Sequence, residues 1–121
     1  MADSFESEGS RLFRRGQMEQ EAGRHEEAHQ YFRGAFDAYV ADGRLGDAEW
    51  IATTTGRPED AVQMYADREM FYEAGKVEEG EGRYAEARSF YERAIDMAQF
   101  AGQDHSRARA GIRELNAREK Q

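Results

Sequence analysis

The 121-residue sequence has no cysteine, one proline and only two lysines. Without cysteine, the chain can form neither disulfide bonds nor thiolate metal sites. No apolar run approaches the ~18 residues that a membrane-spanning helix needs. The acidic start, MADSFESEG, does not have the composition of a secretion or transit signal. We therefore expect a cytoplasmic protein that does not contact membranes.

Negative charge dominates the sequence, with 25 Asp and Glu residues against 17 Lys and Arg residues and a net charge of −8. Nucleic acids and anionic membranes are bound through basic patches, so this balance argues against both as partners. The scarcity of proline and β-branched residues, together with abundant Ala, Glu and Arg, predicts that nearly the whole chain is helical. Its length fits a single domain, residues 1–121.

Two stretches of the sequence, residues 16–43 and 75–102, match each other without gaps. Each copy opens with a glycine, and a second glycine follows seven residues later at an expected turn. The other matches pair Ala28 with Ala87, Tyr31-Phe32 with Phe90-Tyr91, Ala35 with Ala94 and Asp37 with Asp96. Self-similarity of this kind indicates units that bury their apolar faces only by stacking on each other.

This pattern of glycines, alanines and aromatic pairs resembles the tetratricopeptide repeat (TPR), a helix–turn–helix unit of roughly 34 residues. The resemblance implies an all-α fold, an antiparallel stack of helix–turn–helix repeats of the α-solenoid type. We expect repeat-like units at about residues 9–42, 43–67 and 68–102. A one-sided apolar helix at about 105–119 would cap the stack, and Ser4 or Ser7 would cap the first helix.

The middle unit is irregular, because its turn glycine, Gly56, lies only 26 residues before Gly82. Either a tight turn near Asp67 shortens this unit, or its second helix fuses with the next into one rod over Glu59–Glu79. We favour the rod, because no turn residue interrupts it. Such a rod could expose an apolar face to a second subunit, which makes a self-assembling homodimeric scaffold the alternative function.

In the family that the sequence resembles, the first helix of each repeat lines a concave groove that holds a peptide or protein partner. The resemblance therefore implies a non-catalytic interaction module without a cofactor. A few aromatic anchors carry most of the energy in groove binding, so Trp50 and Tyr72 are of most interest. The residues expected to face the groove are Phe13, Gln17, Gln20, Trp50, Tyr72, Lys76 and Glu79.

One stretch fits a catalytic motif: residues 25–29 have the form H-E-x-x-H, the zinc-protease signature. On a helix, His25 and His29 would share one face. The remaining histidine, His105, lies far away in sequence, and Ala28 is already explained as a packing position of the repeat. A metallopeptidase is thus a remote alternative, and the two histidines form at most an adventitious metal site.

Other chemically active side chains are expected to have structural roles. The carboxylates of Glu78, Glu79 and Glu81 surround turn glycines and should form a solvated charge run. A row of threonines, residues 53–55, should stop a helix. The aromatic residues at helical spacing should be core residues: Tyr31, Phe32, Tyr65, Phe90 and Tyr91.

Overall fold

The computed structural model describes residues 6–120, and every regular element in this range is an α-helix. The seven helices are α1 (Glu8–Glu21), α2 (His25–Ala41), α3 (Leu45–Thr54), α4 (Pro58–Asp67), α5 (Phe71–Gly80), α6 (Tyr84–Ala101) and α7 (Ser106–Glu119). The predicted all-α class of helix–turn–helix units is confirmed. Across the described range, no helix is both long enough and apolar enough to cross a membrane.

The helix boundaries follow local signals in the sequence. Ser7 caps α1 as one of the two predicted candidates, because its hydroxyl accepts a hydrogen bond from the Ser10 N–H at 3.1 Å. The other candidate, Ser4, lies outside the described residues. α3 ends at Thr54 within the predicted threonine stop, and α4 begins at Pro58, where the missing N–H of proline costs nothing.

The helices form two compact units, Met1–Arg57 and Pro58–Gln121. In the first unit, α2 packs against both α1 and α3. In the second unit, α5 packs against α4 and α6, while α7 packs against α6 and touches α5. Within each unit, helices that follow one another in sequence therefore pack together, as short connections favour.

All six turns between helices have the same hydrogen-bonding pattern. One residue in each turn has a positive φ, and the N–H of the next residue donates to the carbonyl five residues back at 2.6–2.9 Å. This is the Schellman motif, in which glycine is favoured because it has no Cβ. Five of the six turns have glycine at this position: Gly23, Gly43, Gly56, Gly82 and Gly102.

The sixth turn shows that the predicted rod over Glu59–Glu79 is wrong. Between α4 and α5, Glu69 adopts a φ of 57°, and the Met70 N–H donates to the Tyr65 carbonyl at 2.9 Å. Sequence alone gave no signal here, because side chains other than glycine rarely adopt this conformation. The other interpretation, a tight turn near Asp67, is confirmed. The alternative function, a homodimeric scaffold, relied on this rod, and the described residues form two helices there instead.

Close approach between helices depends on glycines that face aromatic rings. A Cβ atom added at Gly16 would lie 2.5 Å from the Phe32 ring, and one added at Gly75 would lie 2.7 Å from the Tyr91 ring. Gly111 of α7 meets the same Tyr91 ring, with 2.8 Å to its added Cβ. The equivalent glycines of the two sequence copies therefore accept equivalent rings, as the repeat pattern predicts.

Alanines complete these helix contacts. Ala28 is 2% exposed and Ala87 is 0% exposed, which confirms their predicted packing role. Of the five aromatic residues predicted as core, three are buried and two are half-buried: Phe32, Tyr65 and Tyr91, and then Tyr31 and Phe90.

Candidate functional site

An exposed tryptophan supported by a second aromatic ring marks the first unit. Trp50 of α3 is 53% exposed. Its ring lies edge-on to Phe13 of α1, with 5.2 Å between the ring centroids. Phe13 in turn packs against the buried Phe32 ring at 5.4 Å. Trp50 is therefore held by a chain of aromatic contacts that begins in the core, while half of its surface remains in water.

A cleft of about 310 Å³ adjoins this aromatic pair, with Phe13 in its wall. Gln17 and Gln20, both exposed, lie along the same wall on α1. Their side-chain amides each carry donors and an acceptor that face solvent. Three of the four groove residues predicted in this unit thus line one cleft. The fourth, Trp50, contacts Phe13 in the wall of that cleft.

The predicted groove residues of the second unit lie on α5, and they differ in exposure. Tyr72 is half-buried against Tyr91, with 5.7 Å between the ring centroids. The Arg107 guanidinium covers its ring at 4.4 Å, a cation–π arrangement. Lys76 is exposed, whereas Glu79 is only 5% exposed.

Glu79 is a buried carboxylate at the centre of a polar cluster whose two cations, Lys76 and Arg118, remain half exposed. The Tyr91 hydroxyl donates to Glu79 Oε1 at 2.7 Å. Arg118 Nη2 lies 3.4 Å from the other carboxylate oxygen, and Lys76 Nζ lies 3.8 Å from Oε1. A buried carboxylate requires such partners, because an unpaired charge is costly in the interior. Burial, reinforced by the neighbouring Glu79 carboxylate, raises the pKa of the Tyr91 hydroxyl above its usual value.

The predicted solvated charge run is wrong for two of its three members. Glu78 and Glu79 are 7% and 5% exposed, and only Glu81 is exposed. Glu78 accepts a 2.7 Å hydrogen bond from Arg83 Nε across the turn between α5 and α6. These glutamates lie on the inner side of the last turns of α5, which an acidic stretch beside glycines does not indicate.

The internal repeat contains a signal that could have identified the Glu78–Arg83 pair. In the first copy, Glu19 and Arg24 occupy the equivalent positions, also five residues apart, and they form the same ion pair. Arg15 adds a second hydrogen bond to Glu19 at 3.0 Å. Hydrogen bonds from Arg24 and then Arg15 lower the pKa of the Glu19 carboxyl.

The two histidines of the H-E-x-x-H stretch are exposed on the first turns of α2. His29 lines the cleft of the first unit, with its ring centroid 6.4 Å from that of Phe32. His105 accepts a hydrogen bond from Arg109 at 2.7 Å. Between residues 6 and 120, no group of three or more His, Asp or Glu side chains is arranged to hold a metal ion.

Sequence reasoning missed two exposed apolar side chains near the end of α6. Met97 is 41% exposed and Phe100 is 96% exposed. Three residues apart, they lie on the same side of the helix. Both residues lie outside the apolar stripe of α6 in the sequence pattern, and this position could have indicated that they are exposed.

A known protein family matches part of the second unit. Residues 69–100 match the family model described as tetratricopeptide repeat. No curated protein and no solved structure matches the chain. The matched range contains α5, the turn at Gly82 and nearly all of α6, the helix pair in which Gly75 receives the Tyr91 ring. The predicted resemblance to the tetratricopeptide repeat is therefore confirmed over residues 69–100.

Proposed function

We propose that the chain is a non-catalytic module that holds a peptide or protein partner on a helix-lined groove. The tetratricopeptide repeat at residues 69–100 supports a role in protein–protein interaction in general. The finer assignment, which is ours, places the contacts on the side chains predicted from the sequence: Phe13, Gln17, Gln20 and Trp50 in the first unit, and Tyr72, Lys76 and Glu79 in the second.

The observation that carries the proposal is the half-exposed Trp50 ring supported by Phe13. Tryptophan is enriched among the residues that dominate binding energy. A partner that covers the exposed half would remove about 100 Å² of apolar surface from water, which stabilises a complex by about 2–3 kcal/mol. Because Phe13 already orders the ring, little side-chain entropy would be lost on binding.

The polar groups around the anchors suit an extended peptide. The amides of Gln17 and Gln20 can pair with peptide N–H and C=O groups, which every partner sequence provides. On the second unit, Lys76 offers a cation to a partner carboxylate. Glu79 enters the proposal as a supporting residue, because its carboxylate is buried and engaged by Tyr91, Arg118 and Lys76.

A displayed library of random peptides, selected on the wild-type protein, tests the proposal. The selected peptides are then titrated against Trp50→Ala and Tyr72→Ala, with Met18→Ala as the control. Met18 is 58% exposed on α1 and lies outside the lining of the cleft. We expect Trp50→Ala to weaken binding roughly 30-fold, the equivalent of about 2 kcal/mol. Unchanged affinity in both aromatic variants would remove the assignment.

A further inference from the structure

A second cleft, of about 290 Å³, lies in the second unit, and of the predicted groove residues there Tyr72 lines it, whereas Lys76 and Glu79 do not. Its walls are the start of α5, the C-terminal half of α6 and the start of α7. Apolar side chains form part of its lining, including Met70 and Met97. Phe100 stands one turn beyond Met97 on α6 and is almost wholly in water at 96% exposure. The cleft therefore continues onto an exposed apolar helix face.

Most of the charged side chains that line this cleft are negative, and one further cation, Arg93, lies over the ring of the lining residue Phe71. Three carboxylates line the cleft, those of Glu69, Glu73 and Asp104, against one guanidinium, that of Arg107. The Arg107 cation already lies over the Tyr72 ring at 4.4 Å.

The three carboxylates differ in their present contacts. Asp104 caps α7, accepting from the Ser106 N–H at 3.0 Å and from its hydroxyl at 3.1 Å, which lowers the pKa of its carboxyl. Within residues 6–120, the side chains of Glu69 and Glu73 form no ion pair or hydrogen bond. Two free carboxylates are thus available to cations beside the apolar surface.

We infer that this cleft and the adjoining Met97–Phe100 face bind a basic, apolar peptide segment of a protein partner. An apolar side chain of the segment would enter beside Met97 and cover Phe100, and its Lys or Arg residues would pair with Glu69 and Glu73. Charge complementarity selects this occupant, because a segment without cations would leave both glutamates unmatched. The net charge of −8 would also attract a basic segment at long range.

Binding at this cleft does not require the Trp50 surface, so the experiment must distinguish peptides bound at the two clefts. A displayed library of random peptides is selected on the Trp50→Ala protein, so that binders of the first cleft are disfavoured. Selected peptides are titrated in this background against Glu69→Gln/Glu73→Gln. The matched control is Glu26→Gln/Glu27→Gln, which removes the same charge at the start of a different helix, α2.

We expect the selected peptides to carry net positive charge together with an aromatic or large aliphatic residue. Removal of the Glu69 and Glu73 charges should weaken binding roughly fivefold at low salt, and the control pair should leave affinity unchanged. Met97→Ser/Phe100→Ser should weaken it at least about tenfold, whereas Met18→Ser should not.

Three results would overturn the inference. One is a selection that yields no binder, or only neutral or acidic peptides. Another is an equal loss in both charge variants, which would indicate attraction to the whole acidic chain rather than to this cleft. The third is a concentration-dependent dimer in sedimentation velocity that Phe100→Ser dissociates, because a second copy of the chain would then cover the face.

Discussion

The hydroxyl of Tyr91 donates a 2.7 Å hydrogen bond to the buried carboxylate of Glu79. In the first sequence copy the equivalent positions hold Phe32 and Gln20, so both the hydroxyl and the carboxylate are absent there. The ring performs the same packing role in both copies, since Gly16 and Gly75 each receive it. The second copy adds a polar link from the ring, through Glu79, to Arg118 of α7.

Tyr91→Phe should lower the free energy of unfolding by about 1.5–3 kcal/mol, because it removes a buried hydrogen bond to a charged group. Urea denaturation measures this difference. Tyr31→Phe is the control, since Tyr31 is half-buried and its ring is approached by Arg15 rather than by a carboxylate. Equal losses in the two variants would show that the Tyr91–Glu79 bond adds nothing specific.

Stability should also fall in alkali because of Tyr91. Burial raises the pKa of its hydroxyl in the folded state, so the folded protein retains a proton that the unfolded chain releases above about pH 10. The stabilisation is complete below that pH and is lost as the pH rises further. Phenolate absorbance should show a fraction that ionises only as the protein unfolds, and Tyr91 should contribute to it. In Tyr91→Phe, that late fraction should be smaller by one phenolate.

Gly75→Ala should destabilise the protein by about 1–3 kcal/mol, because the new methyl group would lie 2.7 Å from the Tyr91 ring. Gly80→Ala provides a control in the same helix. Its added Cβ meets nothing within 4 Å, so helix propensity alone acts and should raise stability by up to about 1 kcal/mol. Thermal and urea unfolding of the two variants should therefore shift in opposite directions, and a shared direction would contradict the packing role of Gly75.

Glu69→Gly should raise the free energy of unfolding by about 0.5–1 kcal/mol. The substitution relieves a left-handed residue that carries a Cβ, and the greater freedom of the unfolded chain offsets part of this gain. Gly82→Ala is the reverse experiment at an equivalent turn, where φ is +79° and the added Cβ has open space around it. It should cost about 1 kcal/mol. If Glu69→Gly is instead destabilising, the Glu69 side chain must stabilise the folded state by more than its left-handed backbone conformation costs.

Most of the fold follows from local signals that sequence displays directly. Glycine is needed where the backbone must turn left-handed, so Gly23 and Gly82 identify their turns. Small residues such as Ala28 and Ala87 identify the helix crossings, because larger side chains would separate the backbones. The match of residues 69–100 to the tetratricopeptide repeat agrees with this reasoning.

The errors arise where a residue adopts a conformation or an environment that its residue type does not indicate. Glu69 turns the chain without glycine, since the same pair of turn hydrogen bonds forms around it as around the glycines. Glu79 is buried despite its charge, because Tyr91 and Arg118 approach it from distant parts of the sequence. The exposure of individual surface residues, such as Phe100, likewise depends on which neighbours cover each helix face.

The most direct test of the account is the fluorescence of Trp50, the only tryptophan in the chain. A peptide selected on the Met97→Ser/Phe100→Ser protein, which disfavours binders of the second cleft, is added to that protein until binding saturates, and the emission spectrum is recorded throughout. If the half-exposed ring anchors the partner, its emission should shift to the blue as it leaves water, with a midpoint equal to the independently measured Kd. A peptide that saturates the protein while the emission stays unchanged, and that binds Trp50→Ala equally well, would contradict the proposed site.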